Sequence, residues 1–244
     1  MSLHHRFDGD EAAPVLVLAN SLAATLEMWD AQVPALTERF RVLRYDHPGH
    51  GYSGADEIEG MESLARGVLE LLDGLELERV SFCGVSIGGA VGMRLALDAP
   101  SRLERLVLAC TSARFGPPES WQERADLVRA EGVAAVADVV LERWFTPAFP
   151  DVQRFREMFV ATDAEAYAQA CEAIRDWDAR DALHAVRTPT LVISASDDPS
   201  TPPEHQAQIA EAIPGARLET IPGARHLANV EFPDAFNELV LSFL

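Results

Sequence analysis

Short runs of β-branched and other apolar residues recur along the chain, each bounded by polar or turn-forming positions. Such runs are typical of strands that are buried on both faces of a parallel sheet. The predicted strands are residues 14–19, 41–45, 79–84, 103–109, 190–195 and 217–221. A further run at residues 3–7 predicts a strand at one edge of the sheet.

Apolar residues with helical spacing lie between these runs. The clearest helix has one apolar face, formed by Met61, Leu64, Ala65, Val68, Leu69, Leu72 and Leu75. Strands that alternate with helices predict an α/β fold with a mostly parallel sheet and helices on both faces.

One region breaks the alternation. Residues 112–187 contain helical patterns but no convincing strand. A segment of this length is too long for a βα connection. We expect a single domain whose core is formed by residues 1–111 and 188–244, with residues 112–187 inserted as a helical cap (lid). The cap is expected to cover the carboxyl ends of the strands, where ligands of open α/β sheets bind.

Composition narrows the class of protein. The chain has 244 residues, 48% of them apolar and 24% charged, and a formal net charge of −19. This charge argues against nucleic acid or an anionic membrane as partner, because both require a basic surface. Every basic residue other than histidine is an arginine, so a substrate anion must be met by a local arginine. With no apolar targeting segment and no run near ~18 apolar residues, we expect a cytoplasmic protein.

The motif that suggests chemistry is Gly84-x-Ser86-x-Gly88, which falls between a predicted strand and a predicted helix. In this context the motif fits a nucleophile elbow, in which a tight turn presents the serine hydroxyl above the sheet. The alternative is an ordinary glycine turn with a capping serine. The helix that follows directs free backbone N–H groups toward negative charge that develops beside Ser86.

An elbow serine requires a base and an acid that orients the base, in the chain order Ser, Asp, His. Asp197 and Asp198 both follow the strand predicted at 190–195, and either could supply the carboxylate. His226 lies on a loop before the final helix and is the candidate general base.

The loop after the first central strand and the loop with His47 and His50 also carry polar groups that bear on chemistry. The oxyanion hole is assigned to the backbone N–H groups of Ile87, which follows the serine, and of Leu22, which follows the first central strand. His47 and His50 could suggest a metal, but with no third ligand in view we interpret their loop as structural. The three cysteines lack metal-type spacing and are interpreted as buried apolar residues.

These motifs together resemble the α/β-hydrolase superfamily and, within it, the 3-oxoadipate enol-lactonases of aromatic catabolism. The likeness covers nearly the whole chain. Beyond the elbow, it is carried by residues 18–22, 28–30, 41–46, 143–146 and 171–174. The resemblance also favours Asp198 over Asp197, because the Asp-Pro-x-x-Pro spacing looks like the acid loop of these hydrolases.

Several positions depart from the family pattern. The family usually has Arg where Pro48 stands and Gly where Ala23 stands. Pro48 matches the broader esterase and peroxidase-like relatives, and Ala23 is expected to narrow or shift the oxyanion loop. The chain also begins late compared with the family, so the first edge strand is expected to be missing.

The resemblance implies a small-molecule substrate and no metal or organic cofactor. The implied reaction opens the lactone ring of 3-oxoadipate enol-lactone to give 3-oxoadipate, with Ser86, Asp198 and His226 as catalytic residues. Arg143 is the predicted partner of the substrate carboxylate, and Trp144 is the predicted apolar wall beside it. The alternatives are a carboxylesterase or cofactor-free perhydrolase that acts on small neutral acyl compounds and, more remotely, a non-catalytic ligand-binding fold.

Overall fold

The computed structural model describes residues 2–244, and the strands in this part of the chain form one seven-stranded sheet. They are β1 His5–Asp8, β2 Val15–Ala19, β3 Arg41–Tyr45, β4 Val80–Val85, β5 Leu103–Ala109, β6 Thr190–Ala195 and β7 Arg217–Ile221. Their order across the sheet is β1-β3-β2-β4-β5-β6-β7. Only the edge strand β1 is antiparallel to its neighbour, so the predicted mostly parallel sheet is confirmed.

Helices connect the strands and cover the sheet. They are α1 Val33–Leu36, α2 Met61–Gly74, α3 Ile87–Asp98, α4 Pro118–Glu131, α5 Ala134–Trp144, α6 Val152–Val160, α7 Ala164–Asp176, α8 Pro203–Ala212, α9 Ala228–Glu231 and α10 Pro233–Phe243. The apolar stripe predicted around residues 61–75 forms the buried face of α2.

The central strands carry the core. Every residue of β4 and of β6 is buried, in keeping with their continuous apolar sequences. Full burial of a valine or leucine side chain contributes roughly 1.5–3 kcal/mol, so these strands form a stable platform. The loops at their carboxyl ends hold Ser86 and Asp198.

The edge of the sheet is held by a buried cation. Arg44 of β3 is only 2% exposed and forms ion pairs with Asp8 at 2.7 Å and with Asp30 at 2.8 Å. Arg44 is buried and Asp8 nearly so, whereas Asp30 is half-exposed, so the pair with Asp8 is the one whose loss would leave a buried charge poorly compensated. The pairs therefore attach β1 and the loop after β2 to the central sheet.

Residues 110–189 contain α4 to α7 and no strand. Helix α4 packs along α7, and Arg129 of α4 joins the two helices through ion pairs with Glu165 and Glu172. The division of the chain into a core and a cap at residues 112 and 187 remains a prediction.

Within residues 2–244, no helix combines the length and the apolar character that a membrane crossing requires.

All three cysteines are buried and carry free thiols, and burial raises the pKa of each of them.

Candidate active site

Ser86 lies at the sharp corner between β4 and α3. Its backbone has φ +59° and ψ −120°, a left-handed conformation that is strained for a residue with a side chain. The turn is possible because Gly84 and Gly88 lack side chains. A Cβ atom on Gly84 would overlap the carbonyl group of Gly88, and one on Gly88 would overlap the carbonyl group of Ala19.

Hydrogen bonds from β5 and the residues after it hold this strained corner. The N–H of Ser86 donates to the carbonyl of Ala109 at 3.0 Å, and the Thr111 hydroxyl donates to the carbonyl of Ser86 at 2.6 Å. Gln206 of α8 in turn donates to the carbonyl of Thr111 at 2.6 Å. The backbone of Ser86 is thus fixed from both sides, as a residue in an unfavourable conformation requires.

Asp198 and His226 form a buried pair. His226 Nδ1 lies 2.8 Å from Asp198 Oδ2, and each residue is 3% exposed. The carboxylate also accepts bonds from the N–H groups of Ser200 and Thr201 and from the Thr201 hydroxyl. With Nδ1 donating to Asp198, the other ring nitrogen of His226 is left as a proton acceptor.

The surroundings keep Asp198 ionised. Burial alone would raise the pKa of this carboxyl, but attraction to His226 and the hydrogen bonds from His226 and Thr201 hold it below its ordinary value. Asp197 has a different environment, because its side chain is exposed and bonds to the Ser196 hydroxyl.

The loop that carries His226 is attached to the end of α5. The N–H of Leu227 donates to the carbonyl of Trp144 at 3.1 Å, and Arg225 donates to the carbonyl of Phe145 at 3.1 Å. Carbonyls at the end of a helix have no partner within the helix. The loop that carries His226 donates hydrogen bonds to these carbonyls, and the same bonds fix the position of the loop.

A small cavity of about 40 Å³ brings most of the predicted site residues together. It is lined by Ser21, Leu22, Ser86, Phe115, Trp121, Arg124, Val140, Arg143, Trp144, Ile174, Ser200, Thr201 and His226. Asp198 and Ile87 are not lining residues; Asp198 reaches the cavity through His226, and Ile87 begins α3 directly after Ser86. Arg143 lies at the exposed rim, whereas Trp144 is buried.

Two backbone N–H groups are the candidates for an oxyanion hole, one on the lining residue Leu22 and one on Ile87, directly after Ser86. Among the hydrogen bonds of residues 2–244, none uses the N–H of Leu22 or of Ile87 as donor. The next N–H along the first loop, that of Ala23, is taken by His50 Nε2 at 2.9 Å. Ala23 has φ +63°, the left-handed region that favours glycine, which explains why a glycine suits this position.

His47 and His50 both act within the fold. His50 Nδ1 donates to the carbonyl of Pro48 at 2.8 Å, and His47 Nε2 donates to the carbonyl of Asn20 at 3.0 Å. Burial lowers the pKa of each ring to about 4, so both are neutral near pH 7. Within residues 2–244, no group of three or more potential ligand side chains is arranged around a metal position.

A larger groove of about 560 Å³ continues outward from the cavity. The groove and the cavity share Trp121, Arg124, Val140, Arg143 and Ser200. Sequence reasoning missed Arg124, which lies inside the cavity with its aromatic neighbour Trp121. The only signal was the pair of polar and aromatic residues one helical turn apart in α4.

The family is shown by comparison with known proteins. A model of the alpha/beta hydrolase fold matches residues 14–233. The crystal structure of the enol-lactonase from Burkholderia xenovorans LB400 has a TM-score of 0.96 and 44% identity, covering 99% of this chain and 95% of that one. That of a hydrolase from Pseudomonas aeruginosa PA01 has a TM-score of 0.95 and 49% identity, covering 99% and 93%.

Curated relatives point the same way. 3-Oxoadipate enol-lactonase 2 of Acinetobacter baylyi is 35% identical and covers 98% of this chain and 92% of its own length. The chain therefore belongs to the α/β-hydrolase family, and the predicted likeness to the 3-oxoadipate enol-lactonases is confirmed. It is accordingly an ester-hydrolysing enzyme.

The relatives differ in substrate. A putative carbamate hydrolase RutD of Agrobacterium fabrum is 29% identical over 99% of this chain and 96% of its own length. Family membership thus identifies a hydrolase that acts on a small molecule, and the choice among substrates depends on the cavity itself.

Proposed function

We propose that this enzyme opens the lactone ring of 3-oxoadipate enol-lactone to give 3-oxoadipate, a step of aromatic catabolism in the cytoplasm. The observation that carries the proposal is the cavity that Ser86 and His226 share with Arg124 and Arg143, neither of which pairs with a carboxylate of residues 2–244. In a protein of net charge −19, such arginines favour a substrate that brings its own carboxylate. The likeness to two enol-lactonases supports the same substrate.

In the first step Ser86 acts as the nucleophile. His226, held in the useful tautomer by Asp198, takes the hydroxyl proton while Ser86 Oγ forms a bond to the lactone carbonyl carbon. The carbonyl oxygen becomes negative and is stabilised by the N–H groups of Leu22 and Ile87. Loss of one such donor typically costs about 3 kcal/mol in the transition state.

The tetrahedral intermediate then collapses. The ring C–O bond breaks, and its electron pair stays on the enol oxygen, which takes the proton from His226. Ring opening leaves an enol that is still attached to Ser86 through its acyl group, and this enol tautomerises to the ketone. A water molecule, deprotonated by His226, attacks the acyl carbon. The bond between this carbon and Ser86 Oγ then breaks, Ser86 takes the proton back from His226, and the diacid is released.

Arg143 and Trp144 are the proposed substrate-binding residues. Arg143 lies at the rim of the cavity, and no ion pair or side-chain hydrogen bond within residues 2–244 involves its guanidinium. Trp144 is buried and makes edge-to-face contacts with Phe145 and Phe159, which makes it a rigid apolar wall. Arg143→Ala should raise KM for a carboxylated lactone and spare a neutral ester.

The second candidate is hydrolysis of a carbamate or a small neutral ester with the same residues. The RutD relatives favour the carbamate, and Pro48 in place of the family arginine favours the neutral ester. Hydrolysis of a neutral ester or a carbamate ester would not depend on Arg124 or Arg143, because neither substrate carries a carboxylate.

The test is the ultraviolet decay of enzymatically generated 3-oxoadipate enol-lactone, measured beside 4-nitrophenyl acetate and phenyl carbamate. Wild type is compared with Ser86→Ala and with Ser242→Ala, a matched change on the exposed surface of α10. Rapid loss of lactone that requires Ser86 but not Ser242 supports the proposal. An inert lactone beside Ser86-dependent cleavage of the ester or the carbamate would reassign the substrate, and no cleavage of any of them would overturn the proposal.

A further inference from the structure

Arg124 occupies an unusual position for a cation. It is half-buried on α4 and lines both the cavity that contains Ser86 and the groove that leads out of it. Its guanidinium carbon lies 5.1 Å from the centre of the Trp121 ring and 5.3 Å from that of Tyr167. Stacking of this kind holds the planar group in one orientation.

The hydrogen bonds of Arg124 are incomplete. Nη2 donates to the Tyr167 hydroxyl, whereas Nε is buried without an acceptor, and Nη1 makes no bond within residues 2–244. No carboxylate of these residues pairs with Arg124, although the chain contains 39 acidic residues. A buried donor without an acceptor destabilises the fold, and such a group calls for an explanation in function.

Tyr167 explains how the guanidinium is kept in the cavity. Its side chain is fully buried on α7, and its hydroxyl is held by Arg124 across the packed helices α4 and α7. Tyr167 does not line the cavity, so it acts on a substrate only through Arg124. Arg129 is a useful contrast, because it lies on the same helix but pairs fully with Glu165 and Glu172 at the surface.

From this geometry we infer that Arg124 binds a carboxylate on the substrate a few bonds from the reacting carbonyl, and that Tyr167 positions it. Arg124 and Arg143 both line the cavity and the groove, but Arg124 is half-buried whereas Arg143 is exposed. Arg124 is therefore the inner carboxylate ligand, and Arg143 at the rim is the outer one. The enzyme therefore selects acyl compounds that carry a carboxylate over their neutral analogues. This inference deepens the proposed function. It rests on one part of that proposal, that Ser86 reacts with an acyl substrate.

The test compares an anionic with a neutral ester of the same leaving group, the 4-nitrophenyl monoester of succinate and 4-nitrophenyl acetate. Arg124→Met should lower kcat/KM for the succinate ester by about 10- to 100-fold, mainly through KM, with less than about 3-fold change for the acetate ester. Arg124→Lys should restore part of the loss, because it retains the charge. The matched control Arg129→Met should leave both rates unchanged.

Tyr167→Phe tests the positioning role. It removes only the hydroxyl and should raise KM for the succinate ester by about 3-fold, with kcat and the acetate rate unchanged. A purely structural role for this hydroxyl would lower both rates together. Binding of adipate, measured by calorimetry, gives a readout that does not need turnover, and its affinity should fall in Arg124→Met but not in Arg129→Met.

The outcomes separate this inference from the proposed function. Wild type that prefers the succinate ester and loses the preference in Arg124→Met supports the inference, even if the enol-lactone is inert. The inference is overturned if wild type shows no preference, if both esters lose rate equally in Arg124→Met and Arg124→Lys, or if adipate binding is independent of Arg124. A loss confined to Arg143→Met would move the carboxylate site to the rim.

Discussion

His50 Nε2 accepts the backbone N–H of Ala23 at 2.9 Å, and this bond fixes the residue that follows Leu22 in the proposed oxyanion loop. Ala23 is fully buried in the left-handed region, so its backbone needs such support. The bond also removes the Ala23 N–H from competition, which leaves the N–H of Leu22 as the donor beside Ser86. His50, whose loop the sequence favoured as structural over metal-binding, is thus a residue that positions the backbone next to Leu22.

We predict that His50→Leu lowers kcat/KM by about 10-fold or more and destabilises the fold by about 1–3 kcal/mol, since the buried N–H of Ala23 loses its acceptor. Steady-state kinetics and urea unfolding measure the two effects. His50→Gln retains an acceptor and should recover much of both. Wild-type kinetics in His50→Leu would show that the loop does not depend on this bond.

Stability should fall on acidification between about pH 6.5 and pH 4. Burial lowers the pKa of His47 and of His50 to about 4 in the folded protein, so within this window the unfolded chain binds more protons. Each histidine then contributes a slope of at most about 1.4 kcal/mol per pH unit, with stability rising as pH rises. Urea unfolding at several pH values measures the slope. His50→Gln is the reference, and equal slopes in the two proteins would refute the assignment.

Asp198→Asn should lower kcat by about 10³-fold or more, because the amide cannot hold His226 in the same tautomer. Asp197→Asn should change kcat by less than about 3-fold, since Asp197 is exposed and bonds to Ser196. The two variants differ by one position and carry the same chemical change. A greater loss in Asp197→Asn would exchange the two roles.

Gly88→Ala should destabilise the fold by about 3 kcal/mol or more, because the new methyl group would overlap the carbonyls of Ala19 and Asn20. Gly54→Ala is the control, as nothing lies within 4 Å of a Cβ placed there. Urea unfolding of both variants decides the matter. Similar stabilities would mean that the elbow has more room than its backbone suggests.

Much of the fold follows from local sequence patterns. The strands at 41–45, 103–109, 190–195 and 217–221 have the predicted bounds. Apolar runs mark the buried strands such as β6, whereas β7, Arg217–Ile221, is a largely exposed edge strand. Helix α8 was not predicted, since only Gln206 and Ile209 of its residues are buried and the apolar stripe is too weak to detect. The seven-stranded order itself depends on long-range pairing that no local pattern encodes.

The candidate site likewise contains residues that sequence motifs predict and residues that only the three-dimensional packing reveals. Ser86 and His226 belong to motifs with a fixed chain order, so sequence could propose them, although their catalytic roles remain predictions. The support from Thr201, Thr111 and His50 depends on hydrogen bonds across loops. Arg124 was missed because its significance arises from Tyr167, 43 residues away, and only the packing of α4 on α7 brings the two together.

The attachment of the His226 loop to α5 has a consequence for substrate choice. Since the N–H of Leu227 is bonded to the carbonyl of Trp144, an acyl group large enough to push α5 outward would carry the general base away from Ser86. Oversized substrates would then be bound but not turned over, so discrimination against bulk should appear in kcat rather than in KM. We therefore expect α5 to couple the size of the acyl group to the position of His226, so that only compounds that leave this helix undisturbed are hydrolysed.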